Sequence, residues 1–464
     1  MDMEQRAWEV EAQSLAALPS DARKQKQQSN SARHIGIDIF SHARPRGVLK
    51  YVPTDFVVEE ESIDGDIVRI DEPVSFEETA YGQHIAARLT KCGMYSTLQA
   101  SLELSHALNI PLENIHYAGV KDGQATTAQR LVIEGVQLEA LQQFRDPRFV
   151  IESLHRTSEI IRLGELSGNH FSILVRTTQT ITQQWLDHMI AWINQHGVVN
   201  FYGPQRFYEP RLLSHIFGRL IFQGKYDEAL KALFLMPSQF EPRAIANVRS
   251  RLSGCYGRFD DMRRVMSAFP YSFAVELRAL DAMQSGKNAI DTLNAIGDQT
   301  HYWALAYTSL LANELLSEIV LKKKQMPEEL PLLLSTTKWT WDTYKKQLFR
   351  DSTQQYIDNI KPIAAIRMSK SPRVSTVVRP EGLRAVSVPE GVVFEFSLSK
   401  GAYATTLLSY FFDLVTPPPL IAGISHECVD VKKVLGSGSL KHITSHFQRE
   451  IESVQKFHEL IVEE

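Results

Sequence analysis

At 464 residues the chain exceeds one ordinary hydrophobic core, and a guide of about 150 residues per domain points to two or three packed units. Hydrophobic residues at 44% and charged residues at 22% sit near the averages of globular proteins and exclude a disordered or fibrous chain. The formal net charge of -4 gives no bulk sign of nucleic-acid binding, so any RNA surface must be local.

No window approaches about 18 uninterrupted apolar residues, and the opening MDMEQRAWEVEAQ is acidic and polar where a signal peptide is basic and then apolar. A cytoplasmic protein without membrane contact is therefore expected. Cys92, Cys255 and Cys428 are an odd number, far apart, with no CxxC and no His partner at metal-ligand spacing. Reduced thiols and no metal are expected.

Residues 1–43 include QKQQSNSARH, poor in apolar side chains, and read as a helical or disordered extension. From Gly47 the pattern changes. GVLKYV and DFVVEEE are strand-like, and STLQASLELSHALNI carries apolar residues at three- and four-residue spacing, which predicts a helix. IHYAGV, a KDG turn and QRLVIEG read as strand, loop and strand, with FSILVRT and VVFEFSLS as further strands. Between about 208 and 362 the pattern is almost wholly helical. There GKYDEALKALFLMP (224–237) is echoed by GRFDDMRRVMSAFP (257–270), 33 residues later, and more weakly by GKNAIDTLNAIG from Gly286. The period fits helical-hairpin repeats, in which each pair of helices needs a neighbour to bury its apolar face. Chance similarity between helix-turn-helix segments fits as well.

The order of strands, helical block and strands predicts an α+β fold interrupted by a helical insertion. The expected divisions are an extension at 1–43, a discontinuous domain at 44–208 and 363–416, a helical domain at 209–362 and a helical C-terminal extension at 417–464. Positive charge concentrates between Lys361 and Arg384, where Lys361, Arg367, Lys370, Arg373, Arg379 and Arg384 face only Glu381, a local charge of +5. Arg44, Arg46 and Lys50 form a second basic stretch. Solvated surface is the ordinary explanation of such runs, and Arg367, Lys370 and Arg373 are the candidates for RNA binding.

The segment AGVKDGQATTAQ (118–129) places Asp-Gly between two apolar runs, a hairpin signal that by itself marks only a turn. It resembles the pattern AGxKDxxAxTxQ of the TruD family, matched at Ala118, Gly119, Lys121, Asp122, Ala125, Thr127 and Gln129. GVLKYVPTDFVVEE (47–60) resembles that family's opening GLLKxxPEDFxVEE, with Lys50 at an active-site lysine position. GQHIAARLTKCG, SGNHFSILVR, VVNFYGPQRF, HYWALAYTSLLANELLSE and FEFSLSKGAYATTLL resemble later blocks, in family order. The likeness runs from about 47 to 415 and is thin from about 209 to 300.

The resemblance implies a pseudouridine synthase catalytic domain, a mixed or antiparallel sheet with flanking helices, acting on tRNA at the uridine of position 13. It makes Asp122 the catalytic carboxylate, and Lys50, Lys121, Thr127, Gln129, Asn200, Tyr202 and Arg206 substrate-binding residues. Converting uridine to pseudouridine breaks the bond from C1' to N1, turns the base and joins C1' to C5. No electron or group is gained overall, so no cofactor is needed, in keeping with a sequence free of phosphate-loop, dinucleotide and metal motifs. Asp122 would act as a nucleophile at C1' or as a base at C2', and the sequence leaves both open. Burial under a flipped base would oppose its ionisation and a nearby cation would restore it. Lys121 is adjacent but points away if the backbone is extended, so Lys50 and Arg206 are candidates too.

Each block also has a plainer reading. Lys50 fits a surface lysine at a strand end, Asn200 a turn residue, and Phe201, Tyr202 and Phe207 ordinary core. Tyr307, Leu311 and Leu315 fit helix packing, and Lys400, Gly401 and Thr405 a tight strand-to-helix turn. The chain also departs from the family: Asn200-Phe201-Tyr202-Gly203 replaces N-Y-F-G, Tyr208 replaces a glycine after QRF, and Gly123 and Gln124 stand where basic residues are frequent. These departures put substrate choice in doubt. Competing functions are an RNA-binding protein or RNA chaperone of the same fold without catalysis, and an interaction scaffold built on the helices of 209–360.

Overall fold

The computed structural model describes residues 3–25, 31–40, 43–72, 82–93, 95–121, 123–368, 373–415 and 421–463. The fold is α+β, and the chain divides into two units. One comprises 44–198 and 378–459 and holds a large sheet, and the other comprises 1–43, 199–377 and 460–464 and is mainly helical.

Ten described strands form the sheet: β1 Arg46–Val48, β2 Phe56–Glu61, β3 His84–Lys91, β4 Ile115–Tyr117, β5 Thr126–Glu134, β6 Phe149–Thr157, β7 Gly168–Arg176, β8 Glu381–Val388, β9 Gly391–Ser399 and β10 Asp413–Val415. The order is β8-β9-β7-β2-β5-β3-β6, with β4 beside β5 and β1 between β10 and β7. The pairs β2–β5 and β1–β10 are parallel and the rest antiparallel, so the sheet is mixed.

Strand β2 is central, which explains why DFVVEEE does not alternate polar with apolar: both faces are buried. Successive side chains alternate between the faces. Phe56 and Val58 join Phe171, Ile173, Phe394 and Phe396 in one core, closed by helix Gln183–His196 through Leu186 and Ile193. Val57 on the other face joins Ala128, Leu174 and Val393, covered by Val431, Leu435, Ile443, Phe447 and Ile451 of the C-terminal helices. Burying Glu59 and Glu60 in this strand would be prohibitive without partners. Glu59 meets the Lys432 ammonium at 2.6 Å, and Glu60 meets Lys121 at 2.9 Å. Arg176 forms a bidentate pair with Asp55, both bonds 2.7 Å, tying β7 to the turn before β2.

Helix Thr97–Leu108 packs Ala100 and Leu104 on a third core with Ile85, Leu89 and Leu131. It opens with a capping box, Ser96 N donating to Gln99 Oε1 at 2.6 Å and Gln99 N to Ser96 Oγ at 3.3 Å.

In the helical unit the three sequence echoes are three helix–glycine–helix hairpins. Ser214–Phe222 turns at Gly224 into Tyr226–Leu235, Arg243–Ser253 at Gly257 into Phe259–Met266, and Ala274–Gln284 at Gly286 into Ala289–Ala295. All three glycines have left-handed φ, +75°, +90° and +84°, a conformation that costs a side chain energy. Ala229 and Leu233 are buried in the first hairpin, and Met262 and Met266 occupy the equivalent buried places in the second. Arg211, Arg249, Glu241 and Glu276 form a buried quartet of ion pairs.

Helix Gly297–Leu321 is long and apolar enough to cross a membrane by length and composition alone, with 61% of that window buried. In this unit it is the core helix, with Trp303, Tyr307 and Leu311 fully enclosed. The N-terminal helix Met3–Ala16 is anchored through Glu11, which accepts bonds from the Ser272 backbone N and hydroxyl.

Candidate active site

The motif segment leaves β4 at Ala118 and enters β5 at Thr126. Strands β4 and β5 pair antiparallel, Ile115 with Ile133 and Tyr117 with Leu131, so the segment is a wide loop rather than a two-residue turn. Two buried polar side chains hold it. Thr97 Oγ1 accepts from Lys121 N at 2.9 Å and donates to Gln129 Oε1 at 2.7 Å, and Gln129 Nε2 donates to Gly119 O at 2.9 Å. Tyr95 N donates to Gly123 O at 3.2 Å. Asp122 lies outside the described residues.

The Lys121 side chain is buried. Its Nζ donates to Asn169 Oδ1 at 2.7 Å beside the Glu60 carboxylate, and Glu60 Oε1 also accepts from Arg130 N at 3.2 Å. Thr127 pairs with Val58 across β5 and β2, which puts it on the face shared by Phe56 and Glu60. Its hydroxyl is buried without a hydrogen-bond partner among the described residues. Lys50 follows β1 and is only 8% exposed, so the surface-lysine reading does not hold. Its Nζ lies 4.5 Å from the Phe56 ring centroid, and its φ of +56° is a costly conformation for a lysine. The two lysines thus stand over Phe56 and Glu60, roughly 13 Å apart along β2 at the usual strand rise.

Lys400, Gly401 and Thr405 form the expected turn: Lys400 N donates to Ser167 O at 2.9 Å, Gly401 has φ +85°, and helix Ala404–Leu408 follows.

In the helical unit, Asn200 donates through N to Thr376 O at 2.8 Å and through Nδ2 to Ser375 O at 2.9 Å. Tyr202, 7% exposed, is held by its backbone: its N donates to Asn313 Oδ1 at 2.8 Å, and Asn313 Nδ2 donates to its carbonyl at 2.9 Å. Phe201 and Phe207 are core residues. Arg206 lies in the short turn Pro204–Phe207, and Tyr208 ends that turn with φ +65°. A left-handed φ is the ordinary place for glycine, which accounts for the glycine that Tyr208 replaces.

Arg367 is exposed, and its N donates to His301 Nδ1 at 3.3 Å. Arg373 is exposed, 3.3 Å from Glu329, with its guanidinium 5.2 Å from the Trp339 ring. Lys370 lies outside the described residues. Elsewhere in the basic run, Arg384 is paired with Glu395. Burial acts to raise the Glu395 carboxyl, but hydrogen bonds from His170, Ser437 and Arg384 outweigh it and hold it at about 2. Among the described residues no group of three or more His, Cys, Asp or Glu stands ready to hold a metal ion.

Sequence reasoning missed Thr97, Glu60, Asn169 and Asn313 as supports of these residues. Each lies inside or beside a quoted block, but the pairings bridge tens of residues and leave no local spacing signal.

A family model described as tRNA pseudouridine synthase D (TruD) matches residues 35–361. A protein of Methanocaldococcus jannaschii named "Probable tRNA pseudouridine synthase D 1" is 29% identical over 238 residues, 51% of this chain and 59% of that protein. One from Archaeoglobus fulgidus named "Probable tRNA pseudouridine synthase D" is 28% identical over 289 residues, 61% of this chain and 65% of the relative. The chain thus matches less than two thirds of the length of these curated relatives. A crystal structure of a Methanosarcina mazei protein described as "the Putative tRNA pseudouridine synthase D (TruD)" superposes with a TM-score of 0.60 at 20% identity, covering 83% of this chain and 98% of that one, a likeness of fold.

Proposed function

The chain belongs to the tRNA pseudouridine synthase D (TruD) family, and from that premise we propose that it is a cytoplasmic enzyme that isomerises uridine to pseudouridine in tRNA, at position 13, with Asp122 as its carboxylate. In this reading 44–208 and 363–416 form the catalytic domain, 209–362 is a helical insertion, and 1–43 and 417–464 are extensions. The observation that carries it is the anchoring of the motif loop. Thr97 and Gln129 fix Gly119 and Lys121 immediately before Asp122, as a reacting group held to sub-ångström tolerance requires.

Of the three candidate cations, Lys50 is the one we assign to Asp122. The Lys50 ammonium is buried over Phe56 on the sheet face that Phe56 shares with Glu60 and Thr127, and the family resemblance puts Lys50 at an active-site lysine position. Its strained φ is the kind of cost that persists where function demands it. Asn200 and Tyr202 hold the target base, Thr127 and Arg206 bind substrate, and Arg367, Lys370 and Arg373 meet the RNA backbone. The reaction leaves composition unchanged, so it consumes no redox or group-transfer co-substrate.

The test is tritium release from uridine labelled at C5 in a tRNA transcript. Wild type should release tritium without added cofactor, Asp122→Asn should bind the transcript and release none, and Lys50→Met should move the acid limb of the pH–rate profile to higher pH. Release at the wild-type rate by Asp122→Asn would reject the assignment. Binding without release by wild type would leave the catalytically inactive RNA-binding protein.

A further inference from the structure

Residues 158–167 join β6 to β7, and one peptide of this loop is bonded at both ends. Gly164 N donates to Ala118 O at 2.7 Å, and Gly164 O accepts from Lys400 Nζ at 3.2 Å. The motif loop and the turn at Lys400 are thereby tied to the same short stretch of chain. Gly164 has φ +91°, and a Cβ there would meet no atom within 4 Å among the described residues, so it is the backbone conformation rather than lack of space that favours glycine. Leu166 packs on the motif loop as well: its two methyl carbons lie 3.9 Å from where a Cβ on Gly119 would stand.

The loop so fixed carries apolar side chains into solvent. Leu163 is 75% exposed, the highest value of any large hydrophobic side chain among the described residues. Ile160 is exposed too, and so is Val120, on the motif loop itself and two residues from Ala118. One exposed leucine is ordinary, but three exposed apolar side chains on two loops that are bonded to each other ask for an occupant. The motif loop leads to Asp122, so the surface continues into the place where the substrate is read to bind. A uridine turned out of structured RNA leaves a gap in the base stack, and opening that gap costs free energy. An aliphatic wedge inserted between bases replaces the lost face contact and asks for no hydrogen bond. Such a wedge has to be uncharged, to project into solvent in the free protein, and to be held by its backbone rather than by its own packing. Leu163 meets all three conditions.

We propose that Leu163 is a positioning residue for the isomerisation: fixed by the Gly164 peptide, it enters the RNA stack at the step that the target uridine leaves, and Val120 and Ile160 complete the apolar surface that meets the neighbouring bases. This rests on the reading of the chain as an enzyme acting on tRNA. It goes further in giving the β6–β7 loop, which lies in none of the motif blocks, the work of opening the stack.

The experiment uses the full chain and a tRNA transcript carrying 2-aminopurine next to the uridine that wild type converts. Its fluorescence rises when the neighbouring base leaves the stack, and tritium release from C5-labelled uridine is followed in parallel. Wild type should give the rise, and Leu163→Ala should lower both the rise and the single-turnover rate, the rate roughly ten-fold. Leu163→Met keeps an apolar side chain of similar volume and should stay within about two-fold of wild type. The slope of log affinity against log salt should be unchanged in both variants, since no charge is lost. Wild-type rise and rate in Leu163→Ala would overturn the proposal, and are the result expected if the apolar surface serves a protein partner instead. Loss of rate with a full rise would also overturn it, because the side chain would then act after the base has left. Since Leu163 is largely exposed, thermal unfolding of Leu163→Ala should match that of wild type, and a fall in Tm that accounts for the lost rate would count against the wedge. Tritium release by wild type without any rise would overturn the wedge and leave the enzyme reading standing, whereas a wild type that neither binds tRNA nor forms pseudouridine would overturn both.

Discussion

Glu59 and Glu60 are consecutive, yet they serve opposite faces of β2, and the two faces use buried charge differently. On one, Lys432 is fully enclosed and satisfied by Glu59 and Asp71, both at 2.6 Å, beneath the apolar cover of the C-terminal helices. On the other, Lys121 meets Glu60 among Asn169, Thr127 and Gln129, beside the motif loop, and the Thr127 hydroxyl is left without a partner among the described residues. A buried ion pair does not by itself mark a site. What sets the Lys121 pair apart is the motif loop tied beside it through Thr97 and Gln129.

The sharpest way to separate the faces is to remove each lysine. Lys432→Met and Lys121→Met should each strand a buried carboxylate and cost about 3–5 kcal/mol in denaturant titrations. Only Lys121→Met should also lose turnover, on the order of a hundred-fold when assayed where both variants are folded, through displacement of the loop. Equal turnover losses would erase the distinction.

Acid should act first on the closed face. Burial holds His458 down at about 4, although its bond to the Tyr51 carbonyl opposes this. The unfolded chain takes up that proton near 6.5 and the folded one only near 4, so this stabilisation is full above about 6.5, falls between the two and is flat below. The loss amounts to at most roughly 3 kcal/mol. His458→Gln should flatten the dependence of unfolding free energy on pH in that window, and an unaltered slope would count against the assignment.

The smallest effect belongs to Thr127→Val. Removing a buried hydroxyl that has no hydrogen-bond partner among the described residues should leave stability within about 1 kcal/mol, while turnover falls a few-fold. A large loss of stability with normal turnover would mean the hydroxyl serves the fold.

The α+β class was legible because it depends on local pattern. β-branched runs predict strands, the apolar spacing of STLQASLELSHALNI predicts the helix found at Thr97–Leu108, and the glycines of the three echoes fall at hairpin turns. What escaped was set by distant partners. Nothing near Lys121 announces that Glu60 will neutralise it, and Lys50 looked like a strand-end lysine because its burial depends on Phe56 and the sheet around it. Asn313 was hidden for another reason: in LLANELLSE it sits on a helical stretch that reads as packing, and only the chain it clasps, Tyr202 and Ile35, reveals its use. The basic run was legible as composition, but Glu329 and Glu395, which take up Arg373 and Arg384, come from outside it.

The motif loop is tied at several points along its length. Gly119 and Lys121 are tied from one side, Ala125 is sealed in the core and Thr126 begins a strand on the other, and the Gly123 carbonyl accepts from Tyr95 N. Gly123 and Gln124, both half-buried, lie between those ties. They are also where this chain carries neutral residues in place of basic ones. On the proposed reading, a change of charge at these two positions would alter how the loop meets RNA while the ties at Gly119, Lys121 and Ala125 stay as they are.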